Sequence, residues 1–182
     1  MQETCGAFTI SLTSAIVRII QLIGLSNRVF LDKFKETIRT LSLPFQVQLP
    51  EYYSNLVIVG DLIREIVARE ISLKIAETTY LPVRSFGLEE FLHGPRVTLD
   101  KQTCLLVFSS VSEPRRESLI KYAEVNDIRD GLFRVPTEFT WLRQLLWGQL
   151  FALELSKKLK INPDIIRGDE FPYDKARENL IL

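Results

Sequence analysis

Three short stretches of this chain are rich in apolar and β-branched residues, and a segment with helical periodicity follows each of them. The stretches read NLVIVG, TCLLVFSS and GLFRVP and begin at Asn55, Thr103 and Gly131. A weaker stretch, YLPVRSF, begins at Tyr80. Short apolar runs of this kind are typical of strands that are buried on both faces. Strands that alternate with helices predict an α/β fold, a three-layer sandwich with a mainly parallel, Rossmann- or flavodoxin-like sheet.

The segments that follow these stretches predict three helices, at 61–79, 113–127 and 138–161. Asp61 is the expected N-cap of the first helix, because its carboxylate can accept a hydrogen bond from a free N–H group of the first turn. The large aromatic residues of the third helix are Trp141, Trp147 and Phe151. They predict packing in the core or in a dimer, and a platform that stacks on a sugar ring is the alternative.

The first 50 residues predict a helical linker or hairpin that precedes the α/β domain. Helical periodicity covers 9–25 and 28–43, and two helices joined this closely could pack as a hairpin. Residues 51–182 are then expected to form the α/β domain together with a C-terminal tail.

The composition excludes several classes of function. The 182 residues contain 23 basic and 23 acidic side chains, so a net charge of zero gives no electrostatic reason to expect nucleic-acid binding. Two distant cysteines, Cys5 and Cys104, and a single histidine make no metal spacing, so neither a metal nor a cofactor is expected. Arg18 and Gln21 interrupt the first apolar run and no basic segment precedes it, which predicts a cytoplasmic protein without a membrane span.

One face of the predicted helix at 61–79 changes its character along its length. On a helical wheel, its first two turns present Ile63, Ile66 and Val67. The same arc then carries Glu70, Lys74 and Glu77 at spacings i, i+4 and i+7, so the three charges align. Charges on a buried stripe are costly unless they are paired or line a cavity, and a carboxylate near a lysine in a cavity can transfer protons. A solvated ladder of Glu–Lys pairs is the alternative interpretation.

The segment AREISLKIAE followed by EEFLHGP resembles the sugar isomerase (SIS) domain family, and in particular the second SIS domain of glucosamine-6-phosphate synthase-like isomerases and deaminases. In that family a helix carries Glu, Lys four residues on and Glu seven residues on, and His-Gly-Pro follows sixteen residues after the second Glu. Glu70, Lys74, Glu77 and His93 have this spacing here, without a gap. Further similarity lies in the N-terminal helix from Glu3 and in the segment INPDIIRG, so the resemblance covers most of the chain.

The resemblance implies a role for each of these residues. Glu77 would be the catalytic base at carbon, Lys74 would pair with the developing charge, and His93 would open the sugar ring. In the family this histidine comes from the neighbouring subunit, so a homodimer is expected. Glu70 is expected at the substrate site as the structural partner of Lys74, and Lys175 is the candidate for a functional lysine that follows the INPDIIRG segment.

The chain also departs from the family pattern. Family members often have Gly-Arg-Gly after the first strand of this domain, where this chain has Gly60, Asp61 and Leu62. The first SIS domain, which holds the sugar phosphate in two-domain enzymes, has no counterpart in this sequence. A separate chain carrying that domain is therefore an expected partner, and the lack of a glutaminase domain argues against glutamine-dependent amination.

A second candidate for substrate binding follows the strongest strand. Ser109, Ser110 and Ser112 precede a predicted helix at the place where SIS domains have a phosphate loop, and hydroxyl and N–H groups at such a turn can bind anions. The loop lacks the usual glycine, and Glu113 would repel a phosphate group. A serine cluster that caps the next helix is the alternative.

Together these features predict a sugar-phosphate-handling SIS domain of the aldose–ketose isomerase or amino-sugar-phosphate deaminase type, which transfers a proton between C1 and C2. Its expected ligand is a phosphorylated sugar or amino sugar. The alternatives are a non-catalytic sugar-phosphate-binding regulator, the C-terminal half of a split two-domain enzyme, and a degenerate scaffold.

Overall fold

The computed structural model describes residues 9–22, 24, 28–40, 53, 55–128, 132–135, 140–165, 167, 170–177 and 179. Two helices, α1 (Thr9–Leu22) and α2 (Arg28–Thr40), confirm the helical nature of the N-terminal segment. Whether they form a hairpin stays a prediction. Within the described residues, no helix combines the length and the hydropathy that a membrane crossing requires.

The four strands predicted from the sequence form one parallel sheet. They are β1 (Asn55–Gly60), β2 (Val83–Gly87), β3 (Thr103–Phe108) and β4 (Leu132–Arg134). Their order is β2-β1-β3-β4, with the apolar strands β1 and β3 at the centre. The expected α/β class and parallel sheet are therefore confirmed. All four carboxyl ends lie at one edge, where ligands bind in folds of this kind.

Helices cover both faces of the sheet. They are α3 (Ile63–Thr79) and α6 (Trp141–Leu159) on one face, and α4 (Leu88–His93) and α5 (Pro114–Val125) on the other. A 3₁₀ turn follows α4 at Pro95–Thr98, and α7 (Tyr173–Arg177) lies in the C-terminal tail. The sequence does not predict α4, because six residues ending at Gly94-Pro95 are too few to show helical periodicity. The helices predicted at 61–79, 113–127 and 138–161 are confirmed as α3, α5 and α6.

Alternate residues of the central strands point to opposite faces and so belong to two separate cores. Leu56 and Ile58 of β1 face the layer formed by α3 and α6, and Ile16 of α1 packs against the same core. Val57 and Val59 face the layer formed by α4 and α5. The period of two along each strand thus produces the three layers, with α3 and α4 on opposite sides of the sheet.

The aromatic residues of α6 belong to the first core. Trp147 and Phe151 are fully buried, and their rings stack at a centroid distance of 5.5 Å. Gly148 lets α6 approach α3, since a Cβ atom there would lie 2.4 Å from Cγ1 of Ile71. The predicted core packing is confirmed, and the sugar-stacking alternative is wrong for Trp147 because no ligand can reach its ring.

The turn between β1 and α3 differs from the prediction. The N-cap of α3 is Leu62, which makes no side-chain cap bond, and Asp61 therefore does not cap the helix. The N–H group of Ser110 donates instead to the Asp61 carboxylate, because the end of β3 lies beside the end of β1. Leu62 has φ 43° and an exposed side chain, a backbone conformation that L residues rarely adopt.

Replacing Leu62 by glycine is expected to raise the free energy of unfolding by about 1 kcal/mol. The strain of a positive φ at a residue with a Cβ atom costs about 1–3 kcal/mol, and the greater freedom of glycine in the unfolded chain offsets part of the gain. Urea unfolding would measure the change. Leu62→Ala is the matched control, because it removes the exposed side chain and keeps the strain. A glycine variant no more stable than the alanine variant would contradict the prediction.

Candidate functional site

The buried face of α3 is rotated from the one that the helical wheel predicts. Val67, Ile71, Ile75 and Thr78 face the interior, and Lys74 lies among them. Ile63 and Ile66, predicted on the buried face, are instead 45% and 68% exposed. The prediction was wrong for these two isoleucines, since the sheet and α6 together cover the side of the helix on which Val67 and Ile71 lie.

Lys74 is the centre of the candidate site. Its side chain is only 5% exposed, and its Nζ lies 2.9 Å from Oε2 of Glu77 and 3.8 Å from Oε1 of Glu70. The two carboxylates are largely buried as well. Taken by themselves, Glu70, Lys74 and Glu77 carry a formal charge of −1. The predicted alignment of the three charges is therefore present in the fold, and the solvated ladder does not describe it.

Burial dominates the electrostatics of Glu70. Loss of solvent raises the pKa of its carboxyl, Lys74 acts in the opposite direction, and the negative charge of Glu77 adds to the rise. Oε1 of Glu70 is also buried without accepting a hydrogen bond from the described residues. The ionised carboxyl of Glu70 is therefore the least stabilised group of the cluster. A proton, or a hydrogen-bond donor from a ligand, would stabilise it.

The stability contribution of Glu70 is expected to depend on pH. A carboxyl whose folded-state pKa lies above the unfolded value binds its proton more tightly when folded, so stability is lost as the pH rises through the folded pKa. Glu70→Gln mimics the protonated carboxyl and should remove this loss. Urea unfolding of both proteins from mildly acidic to neutral pH would measure this. The free energy of unfolding of the variant, relative to that of the wild type, should increase as the pH rises. A constant difference would contradict the raised pKa.

A cavity of about 470 Å³ lies next to this cluster, between α1, α3 and α6. Its wall is mostly apolar and includes Ile16, Ile63, Ile66, Leu73, Trp141 and Leu145. Glu70 is the one residue of the charged cluster that contributes to this wall. The cavity is therefore not a hollow shared by all three charges of the cluster.

His93 lies on the opposite side of the sheet from Lys74. It is the last residue of α4, its side chain is 79% exposed, and its Nε2 lies 2.9 Å from Oε1 of Glu89. Glu89 also forms an ion pair with Arg115 of α5. Within one chain the fold thus separates His93 from Lys74 and Glu77, and presents the imidazole on an outer surface.

The serine loop at the end of β3 makes hydrogen bonds to Asp61 and Gln144, and its role in substrate binding stays a prediction. Ser109 is buried, and its carbonyl oxygen accepts a hydrogen bond from Nε2 of Gln144. Ser110 donates its N–H group to Asp61 at 2.7 Å, and its hydroxyl lies 3.2 Å from that of Ser112. The cap of α5 is Glu113, whose carboxylate accepts from the N–H of Arg115, so the serine-cap alternative is wrong.

The C-terminal tail docks at the end of α3. The guanidinium group of Arg167 lies between the rings of Tyr80 and Tyr173, 4.5 Å and 4.4 Å from their centroids. The main-chain N–H group of Arg167 donates a hydrogen bond to the hydroxyl oxygen of Tyr80 at 2.8 Å. Tyr80 follows Glu77 by one helical turn, so the tail approaches the end of α3 that carries the candidate base. Lys175 belongs to this tail but is exposed, with Nζ 5.7 Å from the ring centroid of Phe171.

No family profile and no curated protein matches this chain, but solved structures do. Glucosamine-6-phosphate deaminase from Thermotoga maritima aligns with 91% of the chain at a TM-score of 0.58 and 19% identity. A proposed phosphosugar isomerase from Clostridium difficile 630 aligns with 67% at 0.53 and 18% identity. The C-terminal domain of glucosamine-fructose-6-phosphate aminotransferase from Francisella tularensis aligns with 62% at 0.50 and 13% identity.

The chain spans 55%, 39% and 38% of these three structures respectively, or roughly half of their length or less. At such low identity the likeness concerns the fold. The parallel sheet, the helices on both of its faces and these alignments agree with the sequence resemblance. The chain therefore has an SIS-like fold.

Proposed function

We propose that this chain is a sugar-phosphate-handling SIS domain of the isomerase or deaminase type, whose reacting groups lie at the C-terminal half of α3. The observation that carries the proposal is the burial of Lys74 between two carboxylates on the core side of that helix. A cluster with a net charge of −1 is costly in a protein interior and contributes little to stability by itself. Carboxyls whose pKa is shifted by burial, as that of Glu70 is, concentrate at functional sites.

In the proposed reaction, a carboxylate removes a proton from one of two adjacent carbons and returns it to the other. The resemblance of the sequence to the family supports Glu77 as this base, and its contact with Lys74 at 2.9 Å places an ammonium group beside it. The Lys74 ammonium group stabilises negative charge that develops on the neighbouring substrate oxygen. Oε1 of Glu70, which accepts no hydrogen bond from the described residues, accepts one from a hydroxyl or amino group of the substrate.

The position of His93 supports a site shared between two copies of the chain. Helices α3 and α4 cover opposite faces of the same sheet, which keeps His93 away from Lys74 and Glu77 of its own chain. The imidazole therefore reaches the α3 cluster only from a second protomer. In that arrangement His93 moves the proton that opens the sugar ring, and Glu89 orients the imidazole through the contact at Nε2. A homodimer and a cytoplasmic location belong to this proposal as predictions.

The second candidate function is a binder or half-enzyme that needs another polypeptide. The observation that favours it is the apolar wall of the cavity beside Glu70, which offers little for a phosphate group to bind. In this case a separate SIS domain completes the site.

Titration calorimetry with fructose 6-phosphate and glucosamine 6-phosphate, followed by turnover assays on the same samples, tests the proposal. Binding and turnover by the chain alone support the enzyme, while binding without turnover supports the regulator. Lys74→Met and the exposed-lysine control Lys121→Met should differ in affinity if the cluster holds the ligand. Equal affinity of these two variants would remove α3 from the proposed site.

A further inference from the structure

The carboxyl edge of the sheet holds a second polar cluster that the proposed reaction does not use. Asp61 is 2% exposed, although it follows directly after β1. Its Oδ2 accepts the N–H group of Ser110 at 2.7 Å and lies 3.4 Å from the hydroxyl of the same residue. Its Oδ1 lies 3.3 Å from a guanidinium nitrogen of Arg64. Gln144 accepts a hydrogen bond from Arg64 Nε at 2.6 Å and so fixes the guanidinium group.

These donors are the set that a phosphate group would use. A guanidinium group, a main-chain N–H and hydroxyl groups at a turn after a strand bind oxyanions through charge-assisted hydrogen bonds. The hydroxyl of Ser112 lies 3.2 Å from that of Ser110, which adds another donor. The buried hydroxyl of Ser109 has no hydrogen-bond partner among the described residues, so the loop has donor capacity that the fold leaves unused.

We propose that the carboxylate of Asp61 acts as a built-in anion, which fills a latent phosphate-binding site formed by Arg64, Ser110 and Ser112. The main chain holds the carboxylate in place, because the Asp61 N–H group donates to the carbonyl oxygen of Phe108 at 3.2 Å. A tethered anion has little entropy left to lose, so it outcompetes a free phosphate group for the same donors. The loop of this chain is thus closed to phosphate monoesters.

The negative charge of Glu113 explains the exclusion of phosphate from this loop less well than Asp61 does. Its side chain is 9% exposed, and its two carboxylate oxygens accept hydrogen bonds from Arg115 at 2.7 and 3.1 Å. Arg115, which also pairs with Glu89, offsets part of this charge and so reduces its repulsion of an incoming anion. Asp61, in contrast, occupies the donors themselves. The inference concerns this loop alone and does not depend on the activity proposed for α3.

Titration with inorganic phosphate at constant ionic strength tests the inference on the full chain. Asp61→Ala should bind phosphate at least about tenfold more tightly than the wild type, seen as a phosphate-dependent rise in the thermal midpoint. Asp61→Asn is the matched control, since the amide keeps the volume and one acceptor and should leave the site filled. Arg64→Gln added to Asp61→Ala should remove the gain. An alanine variant with no gain over the wild type would overturn the inference.

A measurement on the wild type keeps the test valid if the alanine variant does not fold. The ¹⁵N–¹H signal of the Ser110 amide should stay unchanged as phosphate is added, because Asp61 holds this N–H group. The signal of the exposed Gln102 amide, which donates to Asp100 at 3.0 Å, serves as the reference. A saturable phosphate-dependent shift of the Ser110 signal alone would show that the loop is open, and the inference would be wrong.

Discussion

Replacing Glu77 by glutamine is expected to lower sugar-phosphate turnover about a thousandfold, because general-base catalysis contributes about 10²–10⁴-fold and an amide cannot accept the proton. The variant should stay folded, since glutamine keeps the shape of the side chain and can still accept a hydrogen bond from Lys74. Steady-state assays with circular dichroism on the same sample would measure both. The matched control is Glu65→Gln, which removes a carboxylate near the start of the same helix. Equal turnover of the two variants would contradict the role of Glu77.

A mixing experiment separates the role of Glu77 from that of His93. His93→Asn should slow the reaction of the cyclic substrate more than that of an open-chain one. If the histidine acts across a two-fold interface, mixed dimers of Glu77→Gln and His93→Asn contain one intact site, and a random mixture regains about a quarter of the wild-type activity. No recovery after the subunits have been exchanged would show that Glu77 and His93 do not form one site across an interface, and would end the shared-site proposal.

Replacing Lys74 by methionine is expected to lower the free energy of unfolding by about 2–3 kcal/mol at neutral pH. The change leaves Glu70 and Glu77 without their cation, and removing one partner of a buried ion pair costs about 3–5 kcal/mol. The expected cost is smaller here because the two carboxylates are 19% and 23% exposed. Urea unfolding would measure it, with the exposed Lys121→Met on α5 as the control.

The cause of this loss can be tested by two further measurements. The loss should shrink as the pH falls, since protonation removes the repulsion between the two carboxyls. It should also shrink when Glu70→Gln and Glu77→Gln are added to Lys74→Met, because the isosteric amides carry no charge. A loss that persists unchanged in the triple variant would assign it to packing of the lysine stem.

The strands were predictable because a strand that is buried on both faces needs a continuous run of apolar residues. NLVIVG and TCLLVFSS are the central strands β1 and β3, and few other local structures suit such runs. Helix α4 was not predictable in the same way, since it has six residues and only two of them, Leu88 and Phe91, are buried. The N-cap assigned to Asp61 failed because Ser110, 49 residues away, provides a better donor than the first turn of α3.

The candidate site was predictable only in its local part. The spacing of Glu70, Lys74 and Glu77 along one helix ensures that they meet, whatever surrounds that helix. The wheel could not determine how the helix rotates against the sheet, which is why Ile63 and Ile66 were placed wrongly. The separation of His93 from Lys74 depends on which face of the sheet each crossover covers, and that information lies in the topology.

The contact between Tyr80 and Arg167 joins residues that are 87 positions apart in the sequence. On the ribosome, the end of α3 that carries Glu77 is therefore made long before the segment that contacts Tyr80. Only after Tyr173 has emerged can the arginine be held between two rings. The end of α3 next to the candidate base thus gains these contacts only after a segment far along the chain has been made, and a long-range contact of this kind forms late in folding.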